Sequence, residues 1–386
     1  MRRTERVLFY CHNAVGLGHI ARTSAIANAL KALAPETDTL VVTGAVSVEL
    51  LRKDIEYVKL PSARLVPSGG HFTPQAARLS IPFTELVTWR SALINTTVAQ
   101  FRPDVMLVDH NPAGFYHELD ATIEHCARES TRPRLVLGLR GVAFGSIDGA
   151  DLFSTYRRYL ETVYDYLVVY TDPVVLPLNI PPALVPKTMY SGYVTRVSIP
   201  VVRSSRWPAQ MIVSAGSGSV GYTLLSTVLD IAPDLLSCGW EILVALGPMM
   251  PPEQAKALSA RAALLGSGLE VVPFLPNLPD RLVSADLFVG RAGYNTLADV
   301  MAARCRALVI PYEVDMGDQL QHARAVECAG QVSVLRERDL TAEALLVAIE
   351  TAAQGPLPTQ QVDTSGAEKS AQFLLSLAEQ AARRDR

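Results

Sequence analysis

The sequence predicts an α/β protein made of two Rossmann-like domains whose parallel sheets face a central cleft. Three observations carry this. Short, continuously apolar runs alternate with amphipathic helical stretches, the texture of parallel strands buried on both faces. The series strand, glycine loop, helix occurs at residues 7–33 and starts afresh at residues 211–231. A length of 386 residues suits two or three domains rather than one.

Taken in order, Val7 to Cys11 reads as the first strand, followed by a glycine loop and a helical stretch from His19 to Leu33. Leu40 to Thr43, Val105 to Asp109, Leu135 to Leu139 and Tyr166 to Tyr170 read as further strands. Pro82 to Ala99 and Gly114 to Arg128 read as helices between them, and the region around residues 64–81 as an irregular lid. In the second half the strands are Met211 to Ser214, Ile242 to Leu246, Leu269 to Val272, Leu287 to Val289 and Ala307 to Ile310. Expected boundaries are a first domain at 1–197, a linker at 198–208, a second domain at 209–363 and a closing helix from 364 to 386.

Composition excludes several functions. The 35 Lys plus Arg nearly balance 38 Asp plus Glu, and no basic stretch marks a nucleic-acid partner. The longest apolar runs are strand-length, far short of the ~18 residues of a membrane helix. The five cysteines are scattered without a Cys-x-x-Cys pair, which fits a reducing compartment and gives neither a disulfide framework nor a zinc site. Arg2-Arg3 before an apolar run is broken at once by His12 and Asn13, so no signal peptide is expected and the location is read as cytoplasmic. His117-Glu118 lacks a second histidine, because position 121 is Ala, and no metal or cofactor site is expected.

Gly16-Leu17-Gly18-His19-Ile20-Ala21 matches Gly-x-Gly-x-x-Ala after a strand. The dinucleotide fingerprint also needs an acidic residue closing the second strand, which here ends Val41-Val42-Thr43-Gly44. His19 offers another role. In the first turn of a helix it is biased toward neutrality and suited to removing a proton from a hydroxyl, or else it merely caps or packs at the helix start. Asp109 ends a strand at the carboxyl edge, where it could orient an imidazole or merely cap a helix. His110 follows it.

Ala215-Gly216-Ser217-Gly218-Ser219 leaves N–H groups open at a helix start, which suits a phosphate. Arg291-Ala292-Gly293-Tyr294-Asn295-Thr296 repeats that arrangement one strand along, with Asp299 on the helix that follows. Asp315, Asp318, Gln319, Gln321 and His322 form a polar set after the next strand. Carboxylate beside carboxamide is the pairing that reads neighbouring sugar hydroxyls.

From Pro273 to Gly330 the chain resembles the donor domain of the MurG-like glycosyltransferases (family 28, GT-B fold). The residues that carry the likeness are Pro273-Phe274-Leu275, Ala285-Asp286, Arg291-x-Gly293, Thr296, Asp299, Pro311-Tyr312, Gln319 and Ala329-Gly330. Gly16-x-Gly18-His19 resembles the family's acceptor-side glycine loop, so that Gly16 and Gly18 would border the donor. Asp stands at 299 where the family often has Glu, and Asp318-Gln319 where it commonly has Gln-Gln.

The resemblance implies an inverting, metal-independent transfer from a uridine or thymidine diphosphate sugar to an acceptor hydroxyl. Phe274 and Leu275 would meet the base and Asp299 the ribose. Gly216, Ser217, Gly218, Arg291, Gly293, Asn295 and Thr296 would surround the diphosphate. Asp318 and Gln319 would contact the sugar and His322 a phosphate, with His19 as general base. The acceptor could be a cell-envelope glycolipid or a soluble natural-product scaffold such as an aminocyclitol. A peripheral membrane patch of Arg64, Arg78, Arg90 and Arg102 with Leu65, Phe72, Ile81, Phe83 and Trp89 is conceivable, but a lid and core-facing helix is favoured. A nucleotide-sugar hydrolase or epimerase, or a non-catalytic binding module, would use the same fold.

Overall fold

The computed structural model describes residues 4–13, 16–45, 48–68, 71–141, 156–197, 209–313 and 318–384. The expected linker at 198–208 and Asp315 lie outside the described residues.

The first sheet contains β1 (Arg6–Cys11), β2 (Asp38–Thr43), β3 (Glu56–Lys59), β6 (Val105–Asp109), β7 (Arg134–Leu139), β8 (Tyr166–Val169) and β9 (Thr188–Tyr190). Its order is β3-β2-β1-β6-β7-β8-β9, and every pairing is parallel. Helices α1 (Gly18–Leu33), α2 (Phe83–Phe101) and α3 (Asp120–Arg128) belong to this half. β1, β6 and β7 are apolar along nearly their whole length because helices cover both faces.

The second sheet contains β10 (Ala209–Ser214), β11 (Trp240–Ala245), β12 (Leu269–Val272), β13 (Leu287–Arg291), β14 (Ala307–Ile310) and β15 (Ser333–Val334). It is also wholly parallel, in the order β12-β11-β10-β13-β14-β15. Its helices are α4 (Tyr222–Ser237), α5 (Pro252–Ala263), α6 (Leu278–Leu282), α7 (Tyr294–Ala303), α8 (Asp318–Cys328) and α9 (Ala342–Gln354).

In each sheet the winding direction reverses once, between β1 and β6 and between β10 and β13. Loops leaving neighbouring strands at such a reversal diverge and open a crevice at the carboxyl edge. His19 follows β1 and Asp109 ends β6, while Gly216–Gly218 follow β10 and Gly293 follows β13. Both crevices are thus lined by residues singled out in the sequence.

The last helix, α10 (Gly366–Arg384), returns to the first domain and packs on α1, β1, β6 and β7. Tyr193 holds that return by two backbone bonds, its N donating to Asp363 O at 2.7 Å and its O accepting from Gly366 N at 3.0 Å. One apolar core therefore runs from Val7 and Phe9 through Leu374 and Leu377 to Phe288, Leu297 and Val300.

Two segments differ from the sequence reading. The supposed lid is an antiparallel hairpin, β4 (Ala63–Ser68) with β5 (His71–Ala76). The helix expected from Gly114 begins only at Asp120, because Tyr116 and His117 have φ of 49° and 65°. Such left-handed residues stop an α-helix.

Candidate active site

Asn13, with φ of 49°, turns the chain out of β1 and folds the first glycine loop onto the helix behind it. Its Oδ1 accepts from Ile20 N at 2.7 Å and its Nδ2 donates to Gly16 O at 2.7 Å. This anchors the first turn of α1 and fixes His19. His19 Nδ1 lies 2.5 Å from Asp109 Oδ2. Arg22, one turn further along α1, clamps the same carboxylate, with Nε to Oδ1 at 3.0 Å and a terminal nitrogen to Oδ2 at 2.6 Å.

Burial alone would raise the Asp109 pKa, but the Arg22 charge and the His19 hydrogen bond more than offset it, so it stays ionised far below the usual carboxylate range. Burial lowers the His19 pKa, and Asp109 only partly restores it. A neutral imidazole beside a carboxylate donates its Nδ1 proton there, which leaves the Nε2 lone pair as base. The His12 and His110 rings flank His19 at centroid distances of 4.1 and 6.4 Å. Burial pushes both well below the ordinary histidine pKa, so the flanking rings are uncharged near neutrality.

Across the cleft stands the second glycine loop. Gly218 has φ of 90°, and a Cβ there would lie 2.6 Å from Leu246 O, so only glycine lets the loop pack on the turn after β11. Met249 N donates to Ser217 O at 2.8 Å, and Met249 Sδ lies 3.1 Å from Gly16 N. A Cβ on Gly16 would stand 3.5 Å from Ser217 Cβ, so the two glycine loops meet. Asn295 Nδ2 donates to Gly18 O at 3.0 Å, which sets the start of α7 against the start of α1. Gly293 caps α7 in an extended conformation without a side-chain cap, and Thr296 lies in the first turn. Open N–H groups at such an end attract an anion.

Other sequence-named residues are engaged elsewhere. Asp299, expected at a ribose, is 2% exposed, and its oxygens take Thr195 Oγ1 at 2.9 Å, Arg196 N at 3.0 Å and the Arg196 guanidinium at 3.0 Å. It fastens α7 to the segment at Thr195–Arg196 that leaves the first domain. Arg291, expected near a phosphate, lies beneath the second glycine loop, bound to Val220 O and Glu337 Oε1, each at 2.7 Å. Its charge is neutralised by that carboxylate. His322, expected at a phosphate, is buried against Tyr193, the rings 5.6 Å apart and Nε2 2.9 Å from the tyrosine hydroxyl. Gln319 Oε1 accepts from Tyr312 N at 3.2 Å. Phe274 and Leu275 follow β12 at the same carboxyl edge as Gly216. Arg90 is no part of a surface patch, because its guanidinium is fully buried and paired with Glu118. Among the described residues no helix is long and apolar enough to cross a membrane.

Arg22 went unread in the sequence, although His19-x-x-Arg22 places both on one helix face beside the strand that ends in Asp109. Tyr294 went unread too. Its hydroxyl donates to Tyr170 O at 2.6 Å and its ring lies under Arg22, 5.2 Å from the guanidinium carbon.

Comparison with known proteins gives this geometry its relatives. Residues 212–379 match the model of the glycosyltransferase family 28 C-terminal domain. A UDP-N-acetylglucosamine–N-acetylmuramyl-(pentapeptide) pyrophosphoryl-undecaprenol N-acetylglucosamine transferase of Rhodospirillum centenum is 30% identical over 142 residues, 36% of this chain and 38% of that protein. Its counterpart in Paramagnetospirillum magneticum is 26% identical over 183 residues, 45% of this chain and 48% of that protein. The chain thus spans less than half the length of these curated relatives. Among solved structures, a kitacinnamycin glycotransferase superposes with a TM-score of 0.63 at 15% identity over 100% of this chain and 99% of its own. MurG of Acinetobacter baumannii gives 0.57 at 15% identity over 98% of this chain and 99% of its own. At such identity the likeness is one of fold. Residues 212–379 thus resemble the C-terminal domain of glycosyltransferase family 28, and the chain shares the two-domain GT-B fold of MurG over 98% of its length.

Proposed function

We propose that this chain transfers a sugar from a nucleoside-diphosphate sugar to an acceptor hydroxyl, with inversion and without a metal. The observation that carries the reading is His19, held by Asp109 and Arg22, at the point where the two glycine loops meet. His19 Nε2 removes the acceptor proton as the acceptor oxygen forms its bond to the anomeric carbon. The bond from that carbon to the diphosphate oxygen breaks, and its electron pair leaves with the nucleoside diphosphate. Attack opposite the leaving group inverts the anomeric centre. Asp109 stabilises the imidazolium that forms and keeps the ring in the productive tautomer. Arg22 keeps Asp109 ionised.

The open start of α7 faces the leaving diphosphate beside the second glycine loop, and its N–H groups supply the electrostatic stabilisation. Asp318 and Gln319, at the start of α8, read the sugar. The donor is a uridine-type nucleotide sugar, following the UDP-N-acetylglucosamine named for the curated relatives. The acceptor is a hydroxyl-bearing glycolipid or a soluble scaffold, met from the cytoplasmic side.

The test is turnover of nucleotide sugars with and without an acceptor, in wild type and His19→Ala. Acceptor-dependent turnover that falls about 10²- to 10⁴-fold in the variant, with nucleotide affinity unchanged, is expected. Equal turnover without acceptor would make the chain a hydrolase or epimerase. Binding with no turnover by either form would make it a non-catalytic module.

A further inference from the structure

Arg140 stands directly after β7, whose neighbour β6 ends in Asp109. Its guanidinium reaches across the cleft to the second domain, where one terminal nitrogen lies 3.6 Å from Asp318 Oδ2. The two side chains are 24% and 31% exposed, so the pair sits at the cleft and not on open surface. Among the described residues Asp318 is the ion partner of Arg140, at a distance longer than a direct hydrogen bond. The pair is a tether with slack.

The other polar residues at the start of α8 are held differently. Gln319 is anchored within its own domain by Tyr312 N. His322 is fixed by Tyr193, and a Cβ on Gly141 would stand 3.8 Å from its Nδ1. The end of β7 thus faces the start of α8, with Arg140 beside Asp318 and the Gly141 backbone close to His322. Asp318 is the carboxylate of that turn that faces a charge from the opposite domain.

We propose that Arg140 is a positioning residue that aims Asp318 at the donor sugar, so that sugar recognition is complete only when the two domains are together. The inference rests on the sugar-transfer reading above and adds a residue to it. Arg140 would act on the sugar portion through Asp318 and leave the nucleoside diphosphate, gripped by the loops after β10 and β13, untouched.

Full-length wild type, Arg140→Met, Arg140→Lys, Asp318→Asn and the Arg140→Met/Asp318→Asn double variant are titrated calorimetrically. The probes are uridine diphosphate and the uridine diphosphate sugar that wild type turns over, and thermal midpoints verify folding of each protein. Arg140→Met is expected to bind uridine diphosphate as wild type does and to lose about tenfold in affinity for the sugar nucleotide. Arg140→Lys recovers part of that loss. In the Asp318→Asn background Arg140→Met costs nothing further, because the contact it serves is gone. Equal losses for both probes, or additive losses in the double variant, would overturn the proposal. So would Arg140→Met binding both probes like wild type. A wild type that binds neither a nucleoside diphosphate nor any sugar nucleotide would instead overturn the transferase reading.

Discussion

Replacing His322 by Phe separates two roles that sequence and structure assign to one side chain. Phe keeps a ring against Tyr193 but removes the nitrogen 2.9 Å from the tyrosine hydroxyl. Leaving that buried hydroxyl unpaired costs about 1–3 kcal/mol at neutral pH. The wild-type imidazole carries a further, pH-dependent term. Burial, and then the Arg140 charge, lower its pKa from 6.5 to about 3, so the folded chain keeps it neutral where the unfolded chain protonates it. The unfolded state therefore binds more protons between these values, and stability falls as pH drops from 6.5 toward 3. The slope is about 1.36 kcal/mol per pH unit, so about two units below the ordinary value the wild type has lost about 2.7 kcal/mol at this position. The variant has no such term. Chemical denaturation at pH 7 and pH 4.5 should show the variant less stable at the first and nearly equal to wild type at the second. Curves that stay parallel over that range would refute the assignment. The same variant should bind nucleoside diphosphate normally, and a tenfold loss would return His322 to a phosphate.

Asp109→Asn should slow turnover and also destabilise the fold by about 3–5 kcal/mol, because it strands the buried Arg22 charge, which denaturation of the variant will measure. Gly218→Ala should lower the thermal midpoint and weaken nucleoside diphosphate binding, since φ of 90° and the backbone 2.6 Å away leave no room for a methyl. Turnover should survive exhaustive dialysis against a chelator, and a loss restored by a divalent cation would reject the metal-free mechanism. The acid limb of kcat/KM should lie below 6.5, since burial favours neutral His19; a limb above that value would remove His19 as the base.

The alternation of apolar strand, glycine loop and helix was legible because parallel strands covered on both faces leave a local, periodic signature. It sufficed for two domains, for β1, β6, β10 and β13, and for the glycine loops after β1, β10 and β13. The hairpin of β4 and β5 was not legible, since its pairing depends on a partner strand and not on local pattern. His19 and Asp109 could each be named from position, but 90 residues separate them and no spacing rule brings them to 2.5 Å. That distance follows from β1 and β6 being neighbours at the winding reversal.

The sequence by itself determined the residue types available to the cleft and the conformations that need glycine. Only the tertiary structure decided how the charged groups are spent. Asp299 could hold a ribose or a hinge, Arg291 a phosphate or a carbonyl, and His322 a phosphate or a tyrosine. Each choice turns on which partner lies within hydrogen-bond reach and how much water has been removed around it, and distant parts of the chain fix both quantities.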